Sequence, residues 1–375
     1  MDFAFSDEQE ELRRTVRAFL EDTSPETEVR RRMETDSGFD PAVWRRMGTE
    51  LGLQGLAIPE EYGGAGGGMV EVGLVLEEMG RALLCAPYLS SAVLATTALL
   101  RCADEPHRKR LLPALADARL AGTFALTEDS ARWDREGVAM TAEPHTHAYD
   151  ERWLLSGHKN FVLDGATADF VLTVAVAPDG IGVFVVDGDA AGLARTPLPT
   201  LDQTRRQARL EYQGVPATRL QLPGDGWQFV SEVLDRAAVA LAAEQVGVAA
   251  RALETAVGYA KTRHQFGRPI GSFQAVKHLL ADVLLEVESA RAAAHFAMLA
   301  AEDDDAQLPA AASLAKSYCS DACLKATLEN VQVHGGIGFT WEHPAHLYLK
   351  RAKTSQLLFG DPAYHRELIA QRIGL

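Results

Sequence analysis

Apolar residues recur at helical spacing through the first third of the chain. In residues 7–20 they fall at Leu12, Val16, Phe19 and Leu20, one stripe of a 3.6-residue turn. Ser6 stands where an N-cap belongs, so a helix is predicted to open at Asp7. Residues 39–51 and 70–83 repeat the pattern. Between them lies Pro59-Glu60-Glu61-Tyr62-Gly63-Gly64 and further glycines to Gly68. Such a run can cradle phosphate, but no strand precedes it, and a flexible loop between helices is the simpler expectation. The middle third changes period. Short aromatic or β-branched runs at 124–127, 153–156, 160–163, 170–176, 182–186, 193–198 and 209–212 are separated by Pro, Gly and Asp, which predicts antiparallel strands. Helical spacing returns at 227–263, 274–299 and 310–333.

The implied class is α+β, in the order helices, strands, helices. Its domains are an N-terminal helical domain over 1–120, a central antiparallel β domain over 121–226 and a C-terminal helical domain over 227–375. A chain of 375 residues can bury such cores without covalent staples.

Charge and composition narrow the partners. The formal net charge is −15 and no long basic block occurs, which argues against nucleic acid. The N-terminus is acidic and amphipathic rather than basic and then apolar, so no secretory signal is expected. No charge-free apolar run of membrane-spanning length is present, and a cytoplasmic protein is the default. Four cysteines are too few for a disulfide framework. Cys319 and Cys323, four apart, share a helix face and read as core residues, with a metal or redox pair as the alternative.

Three segments carry candidate chemistry. Arg263-His264-Gln265-Phe266-Gly267-Arg268-Pro269-Ile270, with Phe273 and Gln274 after it, follows a long helix and offers guanidinium forks suited to phosphate. Gln332-Val333-His334-Gly335-Gly336-Ile337-Gly338 lets backbone approach a ligand closely, or simply ends a helix. Ala125-Leu126-Thr127-Glu128 and Gly157-His158-Lys159-Asn160-Phe161-Val162-Leu163 read as strand, turn, strand.

The order and spacing of these three segments resemble the acyl-CoA dehydrogenase family along essentially the whole chain. The resemblance implies a C-terminal four-helix bundle, and FAD lying between the β and C-terminal domains and reached by a neighbouring subunit. It implies removal of a Cα proton and transfer of a Cβ hydride of an acyl-CoA thioester to flavin N5. Electrons then pass to an electron-transfer flavoprotein. The assembly implied is a homotetramer, or a heterotetramer with a homologous chain. Carried over by position, Arg263, Gln265, Phe266, Ile270, Phe273 and Gln274 belong to FAD. So do Gln332, Gly335 and Gly336 from the far side of a subunit boundary. Leu126 and Thr127 face the isoalloxazine, Phe161 stacks on it and Leu163 follows.

The sequence departs from the family where the chemistry occurs. Family members usually carry Tyr-Glu-Gly-Thr after a Lys-rich helix; this chain reads Leu358-Phe359-Gly360-Asp361. Phe359 occupies the place of the base, where only its backbone N–H can still serve an oxyanion. The alternative base position in the family corresponds to Ala237, equally inert. Glu244 lies seven residues beyond, nearly two turns, and is the only acid in an apolar stretch. An embedded carboxylate of that kind has a raised pKa and suits a general base; the alternative is a structural acid paired at a helix contact. Asp361 is the weaker candidate, and it can instead cap the helix that Pro362 opens. Trp133 also replaces a small residue of the family's β-domain loop. The expected activity is FAD-dependent α,β-dehydrogenation of an acyl-CoA. The alternatives are a non-catalytic or half-site subunit of a heteromeric enzyme, or an acyl-CoA oxidase.

Overall fold

The computed structural model describes residues 5–147 and 150–375. The first helices are α1 (Asp7–Thr23), α2 (Glu26–Met33), α3 (Pro41–Thr49) and α4 (Met69–Arg81). A π-helical turn, Leu89–Ala95, runs into α5 (Thr96–Arg101), and α6 (Glu105–Ala116) follows. Seven strands come next: β1 (Gly122–Ala125), β2 (Thr141–His147), β3 (Asp150–Leu163), β4 (Phe170–Ala177), β5 (Gly180–Asp187), β6 (Leu193–Pro197) and β7 (Gln207–Arg219). The chain then forms α7 (Gly226–Thr262), a hairpin of β8 (His264–Gln265) and β9 (Arg268–Pro269), α8 (Gln274–Glu302), α9 (Leu308–His334), α10 (Ala345–Leu357) and α11 (Pro362–Arg372). The α+β class and the helix, strand, helix order are those the sequence predicts. No described helix is long and apolar enough to cross a membrane.

The chain divides into two compact units. One comprises residues 1–31, 69–84 and 238–375; the other comprises 32–68 and 85–237. In the helical unit, α1 opens on the predicted Ser6 cap, with Gln9 closing a reciprocal capping box. Its core joins Val70 and Leu74 of α4 to Val239, Ala242 and Val246 of α7, Ala297 of α8 and Ala315 and Cys319 of α9. Two glycines set the approach of α4 to α7. A Cβ on Gly80 would lie 2.2 Å from the Glu244 carbonyl oxygen, and one on Gly247 would lie 1.8 Å from that of Glu77.

The strand unit corrects three expectations. The sheet is mixed rather than wholly antiparallel, because β1 runs parallel to β4, from Gly122 opposite Phe170 to Ala125 opposite Thr173. The runs 153–156 and 160–163 are one strand, β3, with register shifts at Leu155/Ser156 and Lys159/Val162. The sheet pairings close on themselves through β4–β5. The third correction concerns the glycine run, which is an ordered turn. Its amides from Gly64 to Gly67 donate to the carbonyls of Pro59, Gly55, Ile58 and Leu56, at 3.2, 2.9, 2.9 and 2.8 Å. Gly64 also sits too close to Ile58 to accept a Cβ. Those N–H groups are spent within the turn, so no phosphate cradle remains there.

Candidate active site

The turn after α10 carries Phe359. The residue is 4% exposed, and its backbone takes a left-handed φ of 60°. Gly360 follows at φ 104°, where a Cβ would meet the Tyr364 ring at 2.3 Å. Two side chains from neighbouring helices hold this turn by its carbonyls. Lys316 Nζ on α9 donates to Gln356 O at 3.1 Å and to Gly360 O at 2.9 Å. His365 Nε2 on α11 lies 2.9 Å from Phe359 O. The sequence reading missed both residues. A signal for Lys316 did exist: it breaks the apolar stripe of Ala312, Ala315, Cys319 and Cys323 in core phase.

The candidate acids are all engaged. Glu244 on α7 is buried, and Arg351 on α10 donates to it from Nη1 at 2.8 Å. Arg351 Nη2 also reaches Leu84 O at 3.3 Å. Glu244 is therefore not a lone acid in an apolar helix: it is paired across a helix contact, the structural alternative stated for it. Asp361 is the N-cap of α11, its Oδ1 accepting from Tyr364 N at 2.8 Å. Ala237 is fully buried. Cys319 and Cys323 lie in the core, and burial pushes the Cys319 thiol up to about 12.

Elsewhere in the helical unit, the end of α7 presents an exposed Arg263. It has no ion pair or side-chain hydrogen bond among the described residues. The β8–β9 hairpin pairs Gln265 with Arg268, and its turn residues Phe266 and Gly267 both have positive φ. Phe266 is 91% exposed, edge-on to Phe273, while Arg268 lies over the Phe273 ring at 4.0 Å. Ile270 N donates to Arg263 O at 2.8 Å. Gln274 is the exposed first residue of α8, whose start has no capping side chain. The buried Ser272 hydroxyl has no hydrogen-bond partner among the described residues. Gln332 is exposed at the end of α9, and a Cβ on Gly335 or Gly336 would meet nothing within 4 Å. The Arg263 guanidinium and Ser272 hydroxyl are donors without a partner among the described residues, a set that fits an anionic group, and Gly335 and Gly336 leave backbone open to close approach.

The strand unit holds its candidates differently. Thr127 Oγ1 donates to Asn160 O at 2.6 Å, and Asn160 N donates to Thr127 O at 2.8 Å. Lys159, fully buried, donates to Leu126 O at 2.9 Å and to Glu128 at 2.8 Å. Burial lowers Lys159 to about 8 despite that partner. For Glu128, burial pulls upward, but Lys159 and the amides of Ala139 and Met140 win and hold its carboxyl below the ordinary value. Next to Lys159 the irregular register lifts Phe161, at φ 58°, out of the core to 38% exposure. Leu163 stays buried, its carbonyl accepting from Thr123 Oγ1 at 2.6 Å. Trp133 is half-buried in the preceding loop.

Known proteins match this arrangement over its whole length. Models of the acyl-CoA dehydrogenase N-terminal, middle and C-terminal domains match residues 6–119, 123–215 and 224–374. The acyl-CoA dehydrogenase IpdE2 of Mycolicibacterium smegmatis is 37% identical over 359 residues, which is 95% of this chain and 96% of that protein. The Tcur3481-Tcur3483 steroid ACAD variant superposes with a TM-score of 0.88 at 33% identity, covering 98% of each chain. The ChsE4-ChsE5 complex from Mycobacterium tuberculosis gives a TM-score of 0.89 at 27% identity, over 100% of this chain and 99% of that one. Three consecutive domain models and a relative matched nearly end to end leave one assignment: this chain belongs to the acyl-CoA dehydrogenase family, an oxidoreductase family.

Proposed function

We propose that this chain is the flavin-holding, non-abstracting subunit of a heteromeric acyl-CoA dehydrogenase, assembled with a homologous chain that supplies the base. The reaction of the assembly is α,β-dehydrogenation of an acyl-CoA thioester. One observation carries the reading. By the resemblance, the position of the family's base falls on Phe359, whose side chain is buried and, as a phenyl, cannot accept a proton. The acids that could replace it are committed, Glu244 to Arg351 and Asp361 to the α11 cap. Structures of related two-chain assemblies, Tcur3481-Tcur3483 and ChsE4-ChsE5, agree with a partner chain. So do the apolar side chains left exposed on α8 and α9, among them Leu284, Leu285, Leu314 and Leu328.

FAD, when bound, supplies the hydride acceptor. The chain's own residues bind and orient it. In the helical unit, Arg263 neutralises phosphate charge, with Gln265, Phe266, Ile270, Phe273 and Gln274 around it. Gln332, Gly335 and Gly336 offer backbone an unobstructed approach. In the strand unit, Phe161 offers a flat apolar face, while Leu126, Thr127 and Leu163 supply polar main chain and apolar wall.

Two variants in the purified two-chain assembly test this reading. Arg263→Met is expected to lower bound flavin while the assembly keeps its mass and melting behaviour. Glu244→Gln is expected to lower stability, because it strands Arg351, but to leave the rate of flavin reduction by acyl-CoA in the folded assembly unchanged. Abolished reduction with flavin retained in Glu244→Gln would restore Glu244 as a base and end the proposal.

A further inference from the structure

The turn at Phe359 is built with more care than a phenyl ring needs. Three carbonyls near the end of α10, those of Gln356, Phe359 and Gly360, each accept a hydrogen bond from a buried side chain of another helix. Lys316 Nζ also lies 3.0 Å from Ser320 Oγ, so its contacts are hydroxyl and carbonyl oxygens, with no carboxylate ion pair among the described residues. Burial, with the neighbouring Lys316 charge second, drives His365 down to about 3, so the ring is neutral across the working range. A neutral imidazole has one N–H. A carbonyl only accepts, so Nε2 must donate to Phe359 O, and Nδ1 must accept from Ser313 Oγ at 3.2 Å. Ser313 in turn accepts from Arg372 Nη1 at 2.7 Å. The donors run one way, from Arg372 through Ser313 and His365 to the Phe359 carbonyl. Two successive positive φ values persist because these bonds over-determine the turn.

We propose that Lys316 and His365 are positioning residues for the side chain at 359, and that the turn they hold would present a carboxylate there as a working base. On the reading of the chain as a non-abstracting subunit, the loss of chemistry then lies in one side chain, with its mounting intact. Ser313 acts through His365 by fixing the tautomer. Lys316 acts through the Gln356 and Gly360 carbonyls that bracket residue 359.

The test uses the full two-chain assembly, with the partner chain's own catalytic carboxylate replaced by its amide so that background reduction is absent. Single-turnover flavin reduction by acyl-CoA is measured anaerobically, alongside flavin content and acyl-CoA affinity. Phe359→Glu is expected to gain reduction. Adding Lys316→Met or His365→Leu is expected to slow it about tenfold or more, with flavin content and affinity unchanged, because a displaced base loses rate rather than binding. Adding His365→Gln, which keeps an N–H donor, is expected to recover most of the rate. No gain in Phe359→Glu, or equal rates with and without Lys316 and His365, overturns the proposal. Should Lys316→Met fail to fold, the His365 pair decides alone. Reduction by the assembly with Phe359 still in place would instead defeat the non-abstracting reading. It would leave the positioning claim to the ratios among variants.

Discussion

Glu244 and Arg351 are 107 residues apart in sequence and 2.8 Å apart in the fold. Both are about 3% exposed at the side chain, so removing one partner strands a charge in a low-dielectric interior. Arg351→Met is expected to cost about 3–5 kcal/mol, read as a lower urea midpoint with an unchanged slope. Adding Glu244→Met, which removes the stranded charge, is expected to recover much of that loss. Lys316 gives a prediction in pH. Burial lowers it from 10.5 to about 7, so between those values the unfolded chain binds the proton more readily. Its contribution therefore rises with pH through that window. The stability of wild type relative to Lys316→Met is expected to improve between pH 7 and about 10, and a flat difference would show that Lys316 titrates normally. The capping role of Asp361 was legible in the sequence, from the Asp-Pro pair that opens α11. The partners of Glu244, Phe359 and Lys316 were not, because single-sequence periodicity reports which face a residue occupies and not what meets it there.

The helices that position these groups depend on close backbone approach. Gly247 and Gly80 let α7 and α4 meet where any Cβ would strike a carbonyl of the facing helix. Backbone cannot move aside as a flexible side chain can. Gly247→Ala is expected to destabilise by about 1–3 kcal/mol despite its better helix propensity, while a neutral result would show that the helices can separate cheaply. At α1 the reciprocal cap predicts a smaller effect, about 1 kcal/mol for Ser6→Ala. Long amphipathic helices and the Ser6 cap were readable because they are local. The parallel β1–β4 pairing was not, since antiparallel and parallel strands share one alternation. The ordered glycine turn was misread for a related reason. Its amides bond to carbonyls of its own segment, from Gly55 to Pro59, and glycine content alone does not show that.

At the scale of the whole molecule, the two units carry different parts of the proposed flavin chemistry. The helical unit presents a bare guanidinium and open glycine faces, and the strand unit a lifted aromatic. In the proposed reading, the base comes from the partner chain, since Glu244 is paired with Arg351 and Asp361 caps α11. The measurement that bears most directly on this account is an anaerobic titration with acyl-CoA. It compares the flavin-loaded chain alone with the same chain assembled with its homologous partner. The account predicts that flavin on the isolated chain stays oxidised, and that reduction appears only with the partner present. Full reduction of the isolated chain's flavin would contradict it.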